Sequence, residues 1–188
     1  LAEATALLDA AESAALAWEL VPELCSERAR VAMGAGDIAG SVAQWQRALD
    51  HTPTERHPAF RADLLANLAQ AQMFGGRLDE AEVAARAAQE HLPTDSGVGS
   101  TAFVRGILGL VLAQHPREET VDEAIALLED ALRVPWQRIG LTHSASLRLA
   151  LVWALRRKGQ LVAARHHLDV VLMEHADLAD VDILLDAV

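Results

Sequence analysis

The stretch Gly76-Arg77-Leu78-Asp79-Glu80-Ala81 is a glycine turn followed at once by an amphipathic helix. It recurs as Gly36-Asp37-Ile38 and as Gly159-Gln160-Leu161-Val162-Ala163-Ala164. Five residues after each glycine stands a small residue, Ser41, Ala81 or Ala164, and seven further on stands Ala48, Ala88 or Val171. Val121-Asp122-Glu123-Ala124, with Ala131 seven residues later, matches without its glycine. The small residues Ser41, Ala81, Ala124 and Ala164 are thus 40, 43 and 40 positions apart. A fixed period of this size marks an array of repeated supersecondary units.

The spacing has a physical reason. Two antiparallel helices approach closely only where small side chains occupy the contact, with larger apolar residues at i±3 and i±4 filling the flanks. Glycine ends the first helix of each pair by taking the left-handed conformation without steric cost. Pro53 and Pro93 then close the second helix, since proline cannot continue it. Apolar residues keep the helical period throughout, which predicts helices near 2–18, 22–34, 38–51, 57–74, 78–91, 100–114, 120–133, 140–157, 161–174 and 177–187. The fold class expected is all-α.

Ala62 to Pro93 resembles a tetratricopeptide repeat: Leu65, Leu68, Ala69, Gly76, Ala81, Ala88 and Pro93 stand at that family's signature places. The aromatic signature positions hold mostly leucine or alanine, and the period is near 40 residues rather than the usual 34. The resemblance covers nearly the whole chain. It implies a right-handed superhelical solenoid of antiparallel helix pairs, with repeats at 1–18 (partial), 22–53, 62–93, 102–136 and 145–176 and a terminal helix at 177–188. Glu3 to Ala11 repeats the pattern of Glu123 to Ala131, so the chain is expected to open on the second helix of a repeat, as an excised fragment would. Solenoids need polar caps, and self-association through the ends is therefore an expectation too.

The resemblance further implies a concave face lined by the first helix of each pair, and extended concave faces are what solenoids use for binding. The repeat register directs Arg30, Asn67, Gln70, Phe74, Phe103, Ile107, Leu110, Leu149, Trp153, Arg156 and Arg157 toward that face or its edge. Such a face is an apolar groove with arginines at one end, where Lys158 and Arg165 complete a basic cluster. The partner expected is a protein or peptide, including one that offers an acidic or C-terminal carboxylate group. The competing reading makes Phe103, Leu149 and Trp153 inter-repeat core and the arginines a solvated face. Some co-chaperone members of the family hold a Glu-Glu-Val-Asp tail with basic residues and asparagines. Asn67 matches one asparagine position, but Phe103 and Ile107 stand where basic residues would be needed, so that clamp is not expected.

Composition narrows the function classes. The 188 residues are 52% apolar with a net charge of −11, which argues against disorder and against wrapping nucleic-acid phosphates. Tyrosine is absent, so aromatic platforms for single strands are scarce. No apolar run is long enough to span a membrane. Cys25 is the one cysteine, which excludes an internal disulfide, fits a reducing cytoplasmic setting and reads as a structural thiol. His166 and His167 are adjacent and point about 100° apart on a helix, and no pair has metal-ligand spacing. Gly75-Gly76 lacks the lysine of a phosphate-binding loop. Acidic pairs such as Asp79-Glu80 and Glu118-Glu119 stand at helix starts, where they offset the macrodipole. No constellation calls for catalysis, a metal or a cofactor. Lys158 is the sole lysine among 16 basic residues, a composition that hints at a GC-rich bacterial genome.

The leading expectation is a non-catalytic protein- or peptide-binding module of a larger bacterial protein. The alternative is an effector-sensing or autoinhibitory regulatory domain, as in large ATP-binding transcription activators whose helical repeats resemble these in period.

Overall fold

The computed structural model describes residues 2–13, 20–53, 57–135 and 144–174. Every regular element among them is helical: α1 (Ala2–Ser13), α2 (Val21–Gly34), α3 (Ile38–Asp50), α4 (Pro58–Phe74), α5 (Leu78–His91), α6 (Val98–Gln114), a 3-10 turn (Glu118–Thr120), α7 (Val121–Leu132), α8 (Ser144–Arg157) and α9 (Leu161–Glu174). These bounds follow the expected ones closely. The expected terminal helix at 177–187 lies outside the described residues, as do the last part of the helix expected at 2–18 and the first part of the helix expected at 140–157. The chain divides into two compact units, residues 1–100 and 101–188.

In the first unit each helix packs on its neighbour in sequence, α1 on α2, α2 on α3, α3 on α4 and α4 on α5. In the second, α8 packs on both α7 and α9, and α6 is drawn close by its glycines. A Cβ on Gly109 would come within 2.8 Å of Leu128 Cγ, and one on Gly106 within 2.9 Å of Leu147 Cδ1. The α6 backbone therefore lies close against α7 at Gly109, where a side chain would force its neighbours to shift, and at Gly106 it meets the flexible end of Leu147 of α8.

The turns that open the second helix of three pairs are alike. Gly36, Gly76 and Gly159 have φ of 77°, 72° and 72°. In each, the glycine N–H and the next N–H reach back to carbonyls of the helix just ended: Asp37 N to Ala32 O, Arg77 N to Gln72 O and Gln160 N to Leu155 O, all at 2.9 Å. This is the Schellman arrangement, in which a left-handed residue satisfies the last orphan carbonyls and reverses the chain. Across each reversal the small residues meet the facing helix. Ser41, Ala81 and Ala124 are fully buried and Ala164 is nearly so, and Ala48, Ala88, Ala131 and Val171 are buried one further stretch along. Cys25 is buried as well, beside Ala29 in the apolar core.

Candidate functional site: the open stripes of α4 and α8

Helix α4 is buried around most of its circumference. Ala62, Leu64, Leu65, Ala66, Leu68, Ala69 and Ala71 are all enclosed. One stripe at i, i+4, i+7 and i+11 is not: Asp63, Asn67 and Gln70 are half-buried and Phe74 is 58% exposed. Residues at these intervals lie above one another on a single face. A helix enclosed on three sides with a polar-aromatic fourth side has a surface that its own unit leaves uncovered. Three of the expected binding residues, Asn67, Gln70 and Phe74, are brought together here. Asn67 Nδ2 donates 2.7 Å to the backbone carbonyl of Asp63, which turns its carboxamide back along the helix.

Asp63 is the residue that sequence reasoning missed. Its Oδ1 is fully enclosed and has no hydrogen-bond partner. Burial disfavours the charged carboxylate and pushes its pKa up to about 6. The basic side chain two residues earlier is aimed elsewhere: Arg61 Nη1 donates to the carbonyls of Leu49 and Thr52, each at 3.0 Å, and its Nε is enclosed without a partner. A half-polar helix position gave no signal in the sequence; the signal is the enclosure.

Helix α8 repeats the pattern in the second unit. Ala150, Leu151, Val152, Ala154 and Leu155 are buried, whereas Leu149 and Trp153 are half-buried and Arg156 is exposed. The Arg156 guanidinium lies over the Trp153 ring, 5.6 Å from its centroid. A cation so placed is attracted to the ring face, by about 0.5–1 kcal/mol at exposed sites, and the pair presents an apolar plate beside a positive charge.

The remaining expected binding residues fall elsewhere. Leu110 is 5% exposed and Ile107 1%, so this stretch of α6 belongs to the core, while Phe103 is half-buried. The reason is that α6 carries bulky apolar residues where α4 carries Asn67 and Gln70. Arg30 on α2 is exposed, pairs with Glu27 at 2.7 Å and lies over the ring of Trp45 in α3 at 5.6 Å. Arg157 is half-buried and tied to backbone. Its guanidinium donates to the carbonyls of Ala113, His115, Pro116 and Arg117 and to Glu118 Oε1. It thus closes the turn between α6 and α7, the one helix-pair turn among the described residues without a glycine, where Thr120 Oγ1 also lies 2.8 Å from Arg117 O. Lys158 is held at 2.8 Å by Asp122 and Arg165 at 3.2 Å by Asp169. The basic cluster is therefore largely neutralised.

A pocket of about 340 Å³ opens among α1, α2 and α3, lined in part by Thr5, Leu8, Arg28, Ala32, Asp37 and Gln44. Asp37 is committed there as the cap of α3, its Oδ1 accepting from Gly40 N at 2.8 Å, whereas Gln44 Oε1 is enclosed and unpartnered. His167 is held below its ordinary pKa by burial and by the nearby Arg148 and His166, with Glu129 acting the other way. Its ring stands edge-on to His166 with centroids 5.6 Å apart, and no group of three metal-ligating side chains occurs among the described residues.

No protein-family model matches the chain, and no curated protein matches it.

Proposed function

We propose that the helix pairs are tetratricopeptide-like repeats and that the chain is a non-catalytic protein- or peptide-binding module. The observation that carries this reading is the pairing of an otherwise enclosed helix with one uncovered stripe, made twice: Asp63, Asn67, Gln70 and Phe74 on α4, and Leu149, Trp153 and Arg156 on α8. Phe74 adds an exposed aromatic ring to the first stripe, and Trp153 with Arg156 over its ring adds an aromatic and a cation to the second. Aromatic residues and arginine are the types that concentrate binding energy. On α8 they are three residues apart, close enough to grip an apolar side chain and a carboxylate together.

The test uses peptides selected by display against the intact chain, titrated against variants. Trp153→Ala and Arg156→Ala should each weaken binding of α8-dependent peptides at least about tenfold, near 1.4 kcal/mol. Arg86→Ala should not, since Arg86 is spent on Glu82 at 2.9 Å. Added salt should weaken the contribution of Arg156 and leave that of Trp153. Unchanged affinity in a folded Trp153→Ala variant places the site elsewhere.

One observation favours the second reading, an effector-sensing regulatory domain. The pocket among α1–α3 reaches the lower range of small-ligand sites, about 300–1,000 Å³. Stabilisation of the chain by a small metabolite, lost in Gln44→Leu, would transfer the assignment to that reading.

A further inference from the structure

We infer that the α4 stripe is a docking face for a cationic side chain, a lysine or arginine of the partner peptide, anchored by Asp63 and flanked by Asn67, Gln70 and Phe74. This inference rests on the peptide-binding reading and names what the first unit takes.

Charge complementarity carries it. The corresponding stripe of α2, in the same unit, presents Glu23, Glu27 and Arg30, all exposed. Arg30 is already matched by Glu27. The two stripes therefore hold a surplus of negative charge, and the basic side chain next to the anchor, Arg61, is turned away onto backbone carbonyls. Asp63 is left with an enclosed, unpartnered oxygen and with no charged neighbour, among the described residues, that contributes to its ionisation. A buried carboxylate without a counter-charge is costly. An arriving guanidinium or ammonium supplies the missing counter-charge at Oδ2, the carboxyl oxygen that is not enclosed, and a charge-assisted hydrogen bond of this kind is about twice as strong as a neutral one. Asn67 and Gln70, one and two turns along, offer amides to the peptide backbone, and exposed Phe74 offers an apolar end to the stripe.

Such binding has a signature that mere proximity does not. The cation favours the ionised carboxylate, so it draws the Asp63 midpoint down toward the ordinary carboxylate range and releases protons below about pH 6. The experiment follows the Asp63 carboxyl carbon by NMR through a pH titration of the intact chain. The probe is a blocked heptapeptide with one central arginine flanked by leucines, and its control has norleucine in place of the arginine. The arginine peptide should lower the midpoint, shift the side-chain amide signals of Asn67 and Gln70, and bind at least about fivefold tighter than the control. Asp63→Asn, folded by circular dichroism, should remove that preference. If both peptides shift Asn67 and Gln70 equally and the midpoint stays in place, the face binds peptides but the cation anchor is refuted. If neither peptide moves those amides while the α8 variants still weaken display-selected peptides, the α4 stripe is no docking face and the peptide-binding reading survives on α8 alone.

Discussion

Arg157 Nη1 donates a 2.6 Å hydrogen bond to the backbone carbonyl of His115, 42 residues earlier in the chain. The same guanidinium spans the carbonyls on either side of it and ends on Glu118. Three helix-pair turns are closed by a left-handed glycine; this one is closed by a side chain from another helix. Arg157→Ala should therefore destabilise the second unit by about 2 kcal/mol or more, because several carbonyls lose a charged donor at once. Arg157→Lys should recover less than half, since an ammonium cannot fork across them. Arg156→Ala, one residue away and exposed, should cost under about 1 kcal/mol. Urea denaturation of the three variants checks this, and equal losses at 156 and 157 would contradict the geometry.

Gly109 tests the close approach of α6 to α7. A new Cβ would meet Leu128 Cγ at 2.8 Å and Leu127 Cβ at 3.1 Å. Leu127 Cβ cannot swing aside without moving the helix. Alanine is favoured over glycine in a helix by about 1 kcal/mol, yet overpacking costs about 1–3 kcal/mol. Gly109→Ala is accordingly expected to lower the thermal midpoint. A raised midpoint would mean that α6 and α7 are further apart than described.

Ala81→Phe should be at least as damaging, costing roughly 1–3 kcal/mol or more, because the site is fully buried at the contact of α4 and α5. Val83→Ala, two residues on and 71% exposed, should change stability by less than about 0.5 kcal/mol. Comparable effects at the two positions would place the register of α5 in error.

The carboxyl of Asp63 gives a pH dependence with a definite sign. Its folded-state pKa is near 6 against an ordinary 3.8, so between these values the folded chain holds a proton that the unfolded chain has lost. Stability from this group is complete below about pH 3.8, falls as pH rises to about 6 and stays low above. Asp63→Asn removes the cost. The variant should be more stable than the parent by about 1–2 kcal/mol at pH 8, after allowance for the solvent-facing part of the side chain, and indistinguishable near pH 4. Denaturation at the two pH values decides the matter. A parent protein that is the more stable at pH 8 would show that Asp63 already has a partner. A substitution that stabilises while abolishing cation binding is the trade expected of a functional position.

What the sequence determined by itself is the set of features that depend on a few adjacent residues. Gly36, Gly76 and Gly159 take positive φ because a helix that must stop and reverse needs a residue without a Cβ. Ser41, Ala81, Ala124 and Ala164 are buried because small side chains at a helical interval leave room for a neighbouring backbone. Both facts are local, and both were legible in the order of residues. Tertiary structure decided which positions of the register stay uncovered. Asn67 and Gln70 remain on an open stripe, whereas Ile107 and Leu110 are enclosed, since exposure depends on what packs above a helix as well as on its own period. The use of Arg157 depended on a turn 42 residues distant that lacks a glycine. The altered carboxyl of Asp63 depended on enclosure without a counter-charge. Periodicity specifies the face on which a side chain stands; the surroundings of that face, and so its chemistry, exist only once distant segments have been brought together.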